Sequence, residues 1–187
     1  LTDLEIMAKA AGSVGGLLVV DEAYAEFSQE HSALDLLEKY PHLVVIRTMS
    51  KAFAFAGARV GYLAGYEEVV NAMQIVRLPY HLSALTQAAA LVALEHRKEL
   101  LSAVETLIAS RQWVSRQLES FGVKVVPSSA NFLLFTVPSS QEIWQSLLDQ
   151  GVLVRDVGLS GYLRVTIGNE AENERFISAL RNSLGGK

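Results

Sequence analysis

The 187-residue sequence contains no cysteine, which excludes a disulfide framework and any thiolate metal site, so nothing in it demands an oxidising compartment. It lacks a surplus of positive charge. Lysine and arginine number 16 against 20 aspartates and glutamates, which excludes the basic surface that binds nucleic acid or anionic membrane nonspecifically. An anionic ligand must then be met by local cations. No apolar run approaches the roughly 18 residues of a membrane span, and Leu1-Thr2-Asp3-Leu4-Glu5 has neither the cationic start nor the apolar core of a signal peptide. The chain therefore reads as soluble, untargeted and suited to the cytoplasm. Internal repeats and low-complexity segments are also missing. The four histidines, His31, His42, His81 and His96, show no metal-ligand spacing and read as loop or surface residues.

Hydrophobic residues, by contrast, make up 50% of the chain, enough to bury a sizeable core in one ordinary or two small domains. Leu4, Ile6, Met7 and Ala10 recur at helical spacing after Thr2-Asp3, and Gly15-Gly16 breaks the chain before the strand Leu17 to Val20. A loop to His31, a short helix over Ser32 to Tyr40 and a second unbroken strand, Leu43 to Ile46, follow. Uninterrupted apolar strands between helices predict a parallel sheet covered on both faces. A third strand is expected from Arg59 to Ala64, a helix from Glu67 to Val76, a loop over Arg77 to Leu82, and a long helical region from Ser83 to Phe121, interrupted near His96 to Lys98. The pattern then changes. Strands at Val123–Val126, Asn131–Val137, Val152–Arg155 and Tyr162–Ile167 accompany helices over Ser139–Gln150 and from Glu170. The fold class is thus α/β, with a mostly parallel sheet and flanking helices over residues 1–96, followed by a small α+β domain over 97–187 with its own sheet.

In open α/β sheets, ligands bind beyond the carboxyl ends of the strands. Two such ends carry reactive groups: Asp21-Glu22-Ala23-Tyr24, and Thr48-Met49-Ser50-Lys51 with Arg59 eight residues past the lysine. An amine, a carboxylate, a phenol, hydroxyls and a guanidinium are what pyridoxal 5'-phosphate requires of a protein. Lys51 offers the amine that condenses with its aldehyde and, once freed, moves a proton at the substrate's Cα. Asp21 keeps the pyridine nitrogen protonated, and Tyr24 meets the ring oxygen. Arg59 pairs with the phosphate, helped by the Thr48 and Ser50 hydroxyls. Any one of these side chains alone reads equally as a solvated or packing residue; their joint spacing argues otherwise.

Asp21-Glu22-Ala23-Tyr24 followed by Ser50-Lys51-Ala52-Phe53, Gly57, Arg59, Gly61 and Tyr62 resembles the signature of fold-type I aminotransferases of the aspartate aminotransferase superfamily. With Arg77 to Ser83, Ser129 to Phe135 and Val152 to Gly168, the likeness extends over nearly the whole chain and is to the histidinol-phosphate aminotransferase family. The resemblance implies the roles just given for Asp21, Tyr24, Thr48, Ser50, Lys51 and Arg59. It further implies that Arg155 and Arg164 hold the substrate's phosphate, that histidinol phosphate or imidazole acetol phosphate reacts with glutamate or 2-oxoglutarate, and that the full-length enzyme is a homodimer. It also implies that the family's large domain begins upstream of Leu1, so that the chain is a portion of an enzyme with an incomplete cofactor site and reduced affinity for the cofactor. Two other functions compete: an aromatic amino acid aminotransferase, in which Arg164 would grip a carboxylate, and, for the isolated fragment, a noncatalytic scaffold.

Overall fold

The computed structural model describes residues 2–28 and 30–185. Contacts divide the chain into two compact units, residues 1–101 and 102–187.

The first unit opens with helix α1 (Thr2–Ser13), which ends where Gly15 turns through a positive φ of 68° and the Gly16 N–H returns to the Ala11 carbonyl at 2.9 Å. Strands β1 (Leu18–Asp21) and β2 (Leu43–Thr48) pair in parallel, with Val19 opposite Val44. Between them the chain makes single 3-10 turns at Ala25–Phe27 and Ala33–Leu36. The helix expected over Ser32 to Tyr40 contracts to the second of these, because Ser32 caps it and the chain needs only one turn to bring Leu36 and Tyr40 into the core. That core joins Ala8, Ala33, Leu36, Tyr40, Leu43 and Val45, with Leu4, Leu18 and Val20 packed against it. Alternation along the strands therefore turns Leu18, Val20 and Val45 toward one face and Val19, which is 53% exposed, toward the other.

Strand β3 (Gly61–Gly65) completes the sheet in the order β1-β2-β3, but antiparallel to β2. The expected mostly parallel sheet thus has one antiparallel strand among the described residues. Thr48 lies directly opposite Gly61, so the intervening loop leaves and re-enters at the same end of the sheet, which imposes the antiparallel direction. Arg59, read as the first residue of this strand, lies outside it as the left-handed residue closing a 3-10 turn over Ala56–Ala58. A Cβ on Gly61 would come within 2.5 Å of the Arg47 carbonyl oxygen, so the close approach of β3 requires glycine there. Helices α2 (Glu67–Val76) and α3 (Ala84–Glu95) follow, and α4 (Arg97–Ser120) starts after a one-residue interruption at His96. Ser83 caps α3 by accepting a hydrogen bond from the Thr86 N–H. No residue of α2 is buried, and Ile75, Val76, Leu78, Leu85 and Leu91 are all exposed.

The second unit is an α+β structure in which β4 (Phe132–Thr136), β6 (Tyr162–Thr166) and β5 (Arg155–Asp156) form an antiparallel sheet in that order. Helices α5 (Ser140–Asp149) and α6 (Glu170–Ser183) complete it with the later turns of α4. One face of the sheet, Leu133, Phe135, Leu163 and Val165, is buried with Val114, Leu118, Leu147, Phe176, Ile177 and Leu180. Phe135 and Phe176 meet edge to face, 5.8 Å between centroids. Two expected strands are shortened. Val123 to Val126 runs beside β4 and forms the bridge Val125–Phe135, held by the Val126 N–H to the Leu134 carbonyl and the Thr136 N–H to the Lys124 carbonyl, but the ladder stops there because the Lys124 N–H goes to the Thr136 hydroxyl. Val152 and Val154 are buried outside any strand: the Val152 N–H bonds the Leu147 carbonyl, and the Val154 carbonyl accepts from Trp144 Nε1, so pairing starts only at Arg155. Asn169 and Glu172 close a reciprocal capping box at the start of α6.

Candidate active site

Asp21 ends β1, and its Oδ1 accepts the Ala23 N–H at 2.9 Å, which turns the chain sharply out of the strand. That turn delivers Tyr24, whose ring centroid lies 6.0 Å from Lys51 Nζ. Thr48 ends β2, where its hydroxyl donates to Ser50 Oγ at 2.9 Å and accepts the Ser50 N–H at 3.1 Å. The two hydroxyls thus sit side by side. Lys51 follows in an exposed position, on a loop anchored by buried Met49, Ala52, Phe53 and Val60 and closed by the Met49 N–H to the Val60 carbonyl.

The same closure returns Arg59 to this end of the sheet. Its backbone is left-handed (φ 52°), as is that of Ala54 (φ 55°), and its guanidinium donates to the Ala56 carbonyl at 3.0 Å. Left-handed backbone at residues with a Cβ costs about 1–3 kcal/mol each and persists only where surrounding structure over-determines it. Here the buried anchors impose it. The ends of β1 and β2 and the segments that follow them therefore bring Asp21, Tyr24, Thr48, Ser50, Lys51 and Arg59 to one end of one sheet.

In the second unit, Arg155 on β5 lies directly opposite Arg164 on β6. Both guanidiniums belong to one side of the sheet, and Arg164 stacks over the Phe132 ring at 4.6 Å. Its Nε is buried without a hydrogen-bond partner, and among the described residues neither arginine forms an ion pair. Like charges directly across a ladder repel. An anion between them would relieve the repulsion. In the loop after α2, Arg77 contacts the His81 ring at 3.3 Å, and Tyr80 is fully exposed with φ 54°.

The sequence-based assignment passed over Glu22 and Arg47. Arg47 Nη2 and Nε donate to Glu22 Oε2 at 2.7 and 3.1 Å, Ser32 Oγ donates to the same oxygen at 2.8 Å, and the Ala33 N–H reaches Oε1 at 2.6 Å. Burial works against the Glu22 charge, but the Ala33 N–H, the Arg47 guanidinium and the Ser32 hydroxyl together hold its carboxyl below the usual range. Burial likewise opposes the Arg47 charge, and Glu22 with the Tyr62 hydroxyl raises its pKa above the ordinary value. The available signal was a pair of opposite charges ending two adjacent apolar strands.

The model of the class I and II aminotransferase family matches residues 1–180. Among similar proteins, the histidinol-phosphate aminotransferase of Mycolicibacterium smegmatis is 58% identical over 167 residues, covering 88% of this chain and 44% of that protein. That of Corynebacterium diphtheriae is 50% identical over 183 residues, covering 97% and 50%. The chain spans about half the length of the curated relatives it matches. Among solved structures, the Sinorhizobium meliloti histidinol-phosphate aminotransferase in complex with pyridoxal 5'-phosphate superposes with a TM-score of 0.83 at 27% identity, covering 96% of this chain and 52% of that one. The Clostridium acetobutylicum enzyme gives 0.87 at 24% identity, covering 97% and 58%, a likeness of fold. With a strand-end lysine, its neighbouring hydroxyls and the flanking aspartate and arginine in a chain matched almost end to end, this protein belongs to the class I and II aminotransferase family.

Proposed function

We propose that this chain is part of a pyridoxal-phosphate-dependent aminotransferase that moves an amino group between L-histidinol phosphate and 2-oxoglutarate. In this assignment residues 1–96 form the C-terminal half of the cofactor-binding domain and residues 97–187 the small domain, in a cytoplasmic homodimer. The donor set fits the cofactor: a carboxylate, a phenol, an amine, two adjacent hydroxyls and a guanidinium lie at one sheet end. When bound, pyridoxal phosphate supplies an electron-withdrawing ring that stabilises the charge left at substrate Cα.

The protein's residues then have separate tasks. Asp21 holds a proton at the ring nitrogen by placing a negative charge beside it. Tyr24 donates to the ring oxygen. The Thr48 and Ser50 hydroxyls and the Arg59 guanidinium hold the phosphate, which a planar fork matches better than an ammonium. Lys51 would attach the cofactor covalently, and its freed amine would move the proton between substrate Cα and the cofactor's C4′ carbon. Arg155 and Arg164 grip the phosphate of the substrate.

The observation that supports the substrate assignment is the opposition of Arg155 and Arg164 across one ladder, neither of them in an ion pair among the described residues. Names of relatives at 50–58% identity agree with it. In the full-length protein, borohydride should fix the cofactor to the Lys51 peptide, read by mass spectrometry. Lys51→Ala should abolish transamination while leaving the circular dichroism unchanged, and an active variant would overturn the proposal. Preference for phenylalanine over histidinol phosphate would overturn the substrate.

A further inference from the structure

Glu22 and Arg47 sit one residue from two proposed cofactor anchors: Glu22 follows Asp21, and Arg47 precedes Thr48. The Glu22 N–H continues the β1–β2 ladder by donating to the Ile46 carbonyl at 2.9 Å, so strand alternation still applies at this point. Asp21 and Thr48 therefore share one face of the sheet, and Glu22 and Arg47 share the other. Their side chains are only 11% and 16% exposed. Ser32 joins them by donating to Glu22 and accepting from Arg47 Nη2 at 2.9 Å, while Glu26 lies 3.9 Å from Arg47 Nη1.

We infer that the Glu22–Arg47–Ser32 cluster is the positioning element of the cofactor site, clamping Asp21, Tyr24 and Thr48 from the opposite face of the sheet. Three geometric consequences carry this. The ion pair ties the end of β1 to the end of β2, which fixes Asp21 relative to Thr48. The bonds from Ser32 and the Ala33 N–H to Glu22 close the loop that contains Tyr24, which fixes the phenol relative to both. All donors converge on one carboxylate, so displacement of any partner is felt by the others. A buried ion pair stabilises a fold little better than apolar residues of equal volume. What it adds is direction, because its hydrogen bonds hold at one geometry and apolar contacts at many. Groups that bind a ligand need such support, since small displacements weaken them severely.

The inference rests on the proposed cofactor role and is separable from it. Glu22→Gln with Arg47→Met in the full-length protein removes the ion pair and also takes the neighbouring cation from Glu26, whereas Ser32→Ala removes only the bridging hydroxyl and leaves every charge in place. Each is titrated as apoprotein with pyridoxal phosphate and with pyridoxal, followed by absorbance, alongside thermal melting. The double variant should bind both ligands about tenfold or more weakly. Ser32→Ala should weaken both by roughly threefold, with a melting temperature close to that of the parent. Losses for both ligands are expected because Asp21 and Tyr24 are assigned to the ring that both possess, with the larger loss for pyridoxal phosphate because Thr48 is assigned to its phosphate. Unchanged affinity in folded Ser32→Ala overturns the inference whether or not the double variant folds, as does a double variant that melts early but binds normally. A parent protein that binds neither ligand overturns the cofactor proposal itself.

Discussion

The two units solve the problem of apolar surface differently. In residues 102–187 the buried sheet face, α5, α6 and the later turns of α4 enclose a continuous core in which Phe135, Leu147, Leu163 and Leu180 are fully buried. In residues 1–101 the core is a smaller cluster between α1, the segment around Ala33 to Tyr40 and one face of β1 and β2. Val19 and much of α2 and α3 stay exposed. The unit with the proposed cofactor lysine is thus the less self-sufficient one. Its structure spends ordered backbone and buried charge on holding polar groups at a sheet end, where apolar packing alone would give no direction.

The largest test of this contrast is Phe135→Ala. It should destabilise the second unit by about 3–5 kcal/mol through lost burial and a residual cavity. Trp113 and Trp144, the chain's two tryptophans, both belong to that unit, so denaturant unfolding followed by tryptophan fluorescence reads it selectively. Hydrogen exchange in β1 and β2 should change much less, and an equal loss there would show that the two units unfold as one. A smaller effect is expected from acid. Because the Glu22 carboxyl is held below its ordinary value of 4.5, its charged form stabilises the first unit above that pH, and this contribution disappears as pH falls through the lowered value. Protection of the β1 and β2 amides should therefore decline with acid below about pH 4.5, and Glu22→Gln should flatten that decline; an unaltered slope would remove the pair from the stability of this unit. The smallest effect belongs to Ile75→Ser. At 84% exposure, Ile75 should tolerate the change within about 0.5 kcal/mol. A loss near 2 kcal/mol in the full-length protein would mean that this helix face is covered there.

Many of the elements were legible in the sequence, and the exceptions have physical causes. Local signals marked α2, the cap at Ser83, the break at His96 and the start of α6 at Glu170, because each depends on residues within one or two turns. Strand direction did not show. Nothing in Gly61 to Gly65 distinguishes a parallel from an antiparallel strand, and the answer lay in a loop whose ends meet at Met49 and Val60. Val123–Val126 and Val152–Val154 have strand composition but pair only in part or not at all, since the Lys124 N–H goes to a threonine hydroxyl and the Val154 carbonyl to a tryptophan ring nitrogen. At the candidate site, reactive side chains stood out at strand ends. Glu22 and Arg47 did not, since an acid and a base 25 residues apart become partners only when β1 and β2 align.

The left-handed backbone at Arg59 has a further consequence. Arginine ordinarily samples many rotamers, and a surface arginine that captures an anion must give up that freedom at the moment of binding. Here the chain reversal into β3 sets the direction of the side chain's root, and the bond from its guanidinium to the Ala56 carbonyl tethers the tip. Part of the entropy that capture would otherwise cost is thus surrendered during folding, so an anion arriving at this arginine meets a side chain already partly ordered.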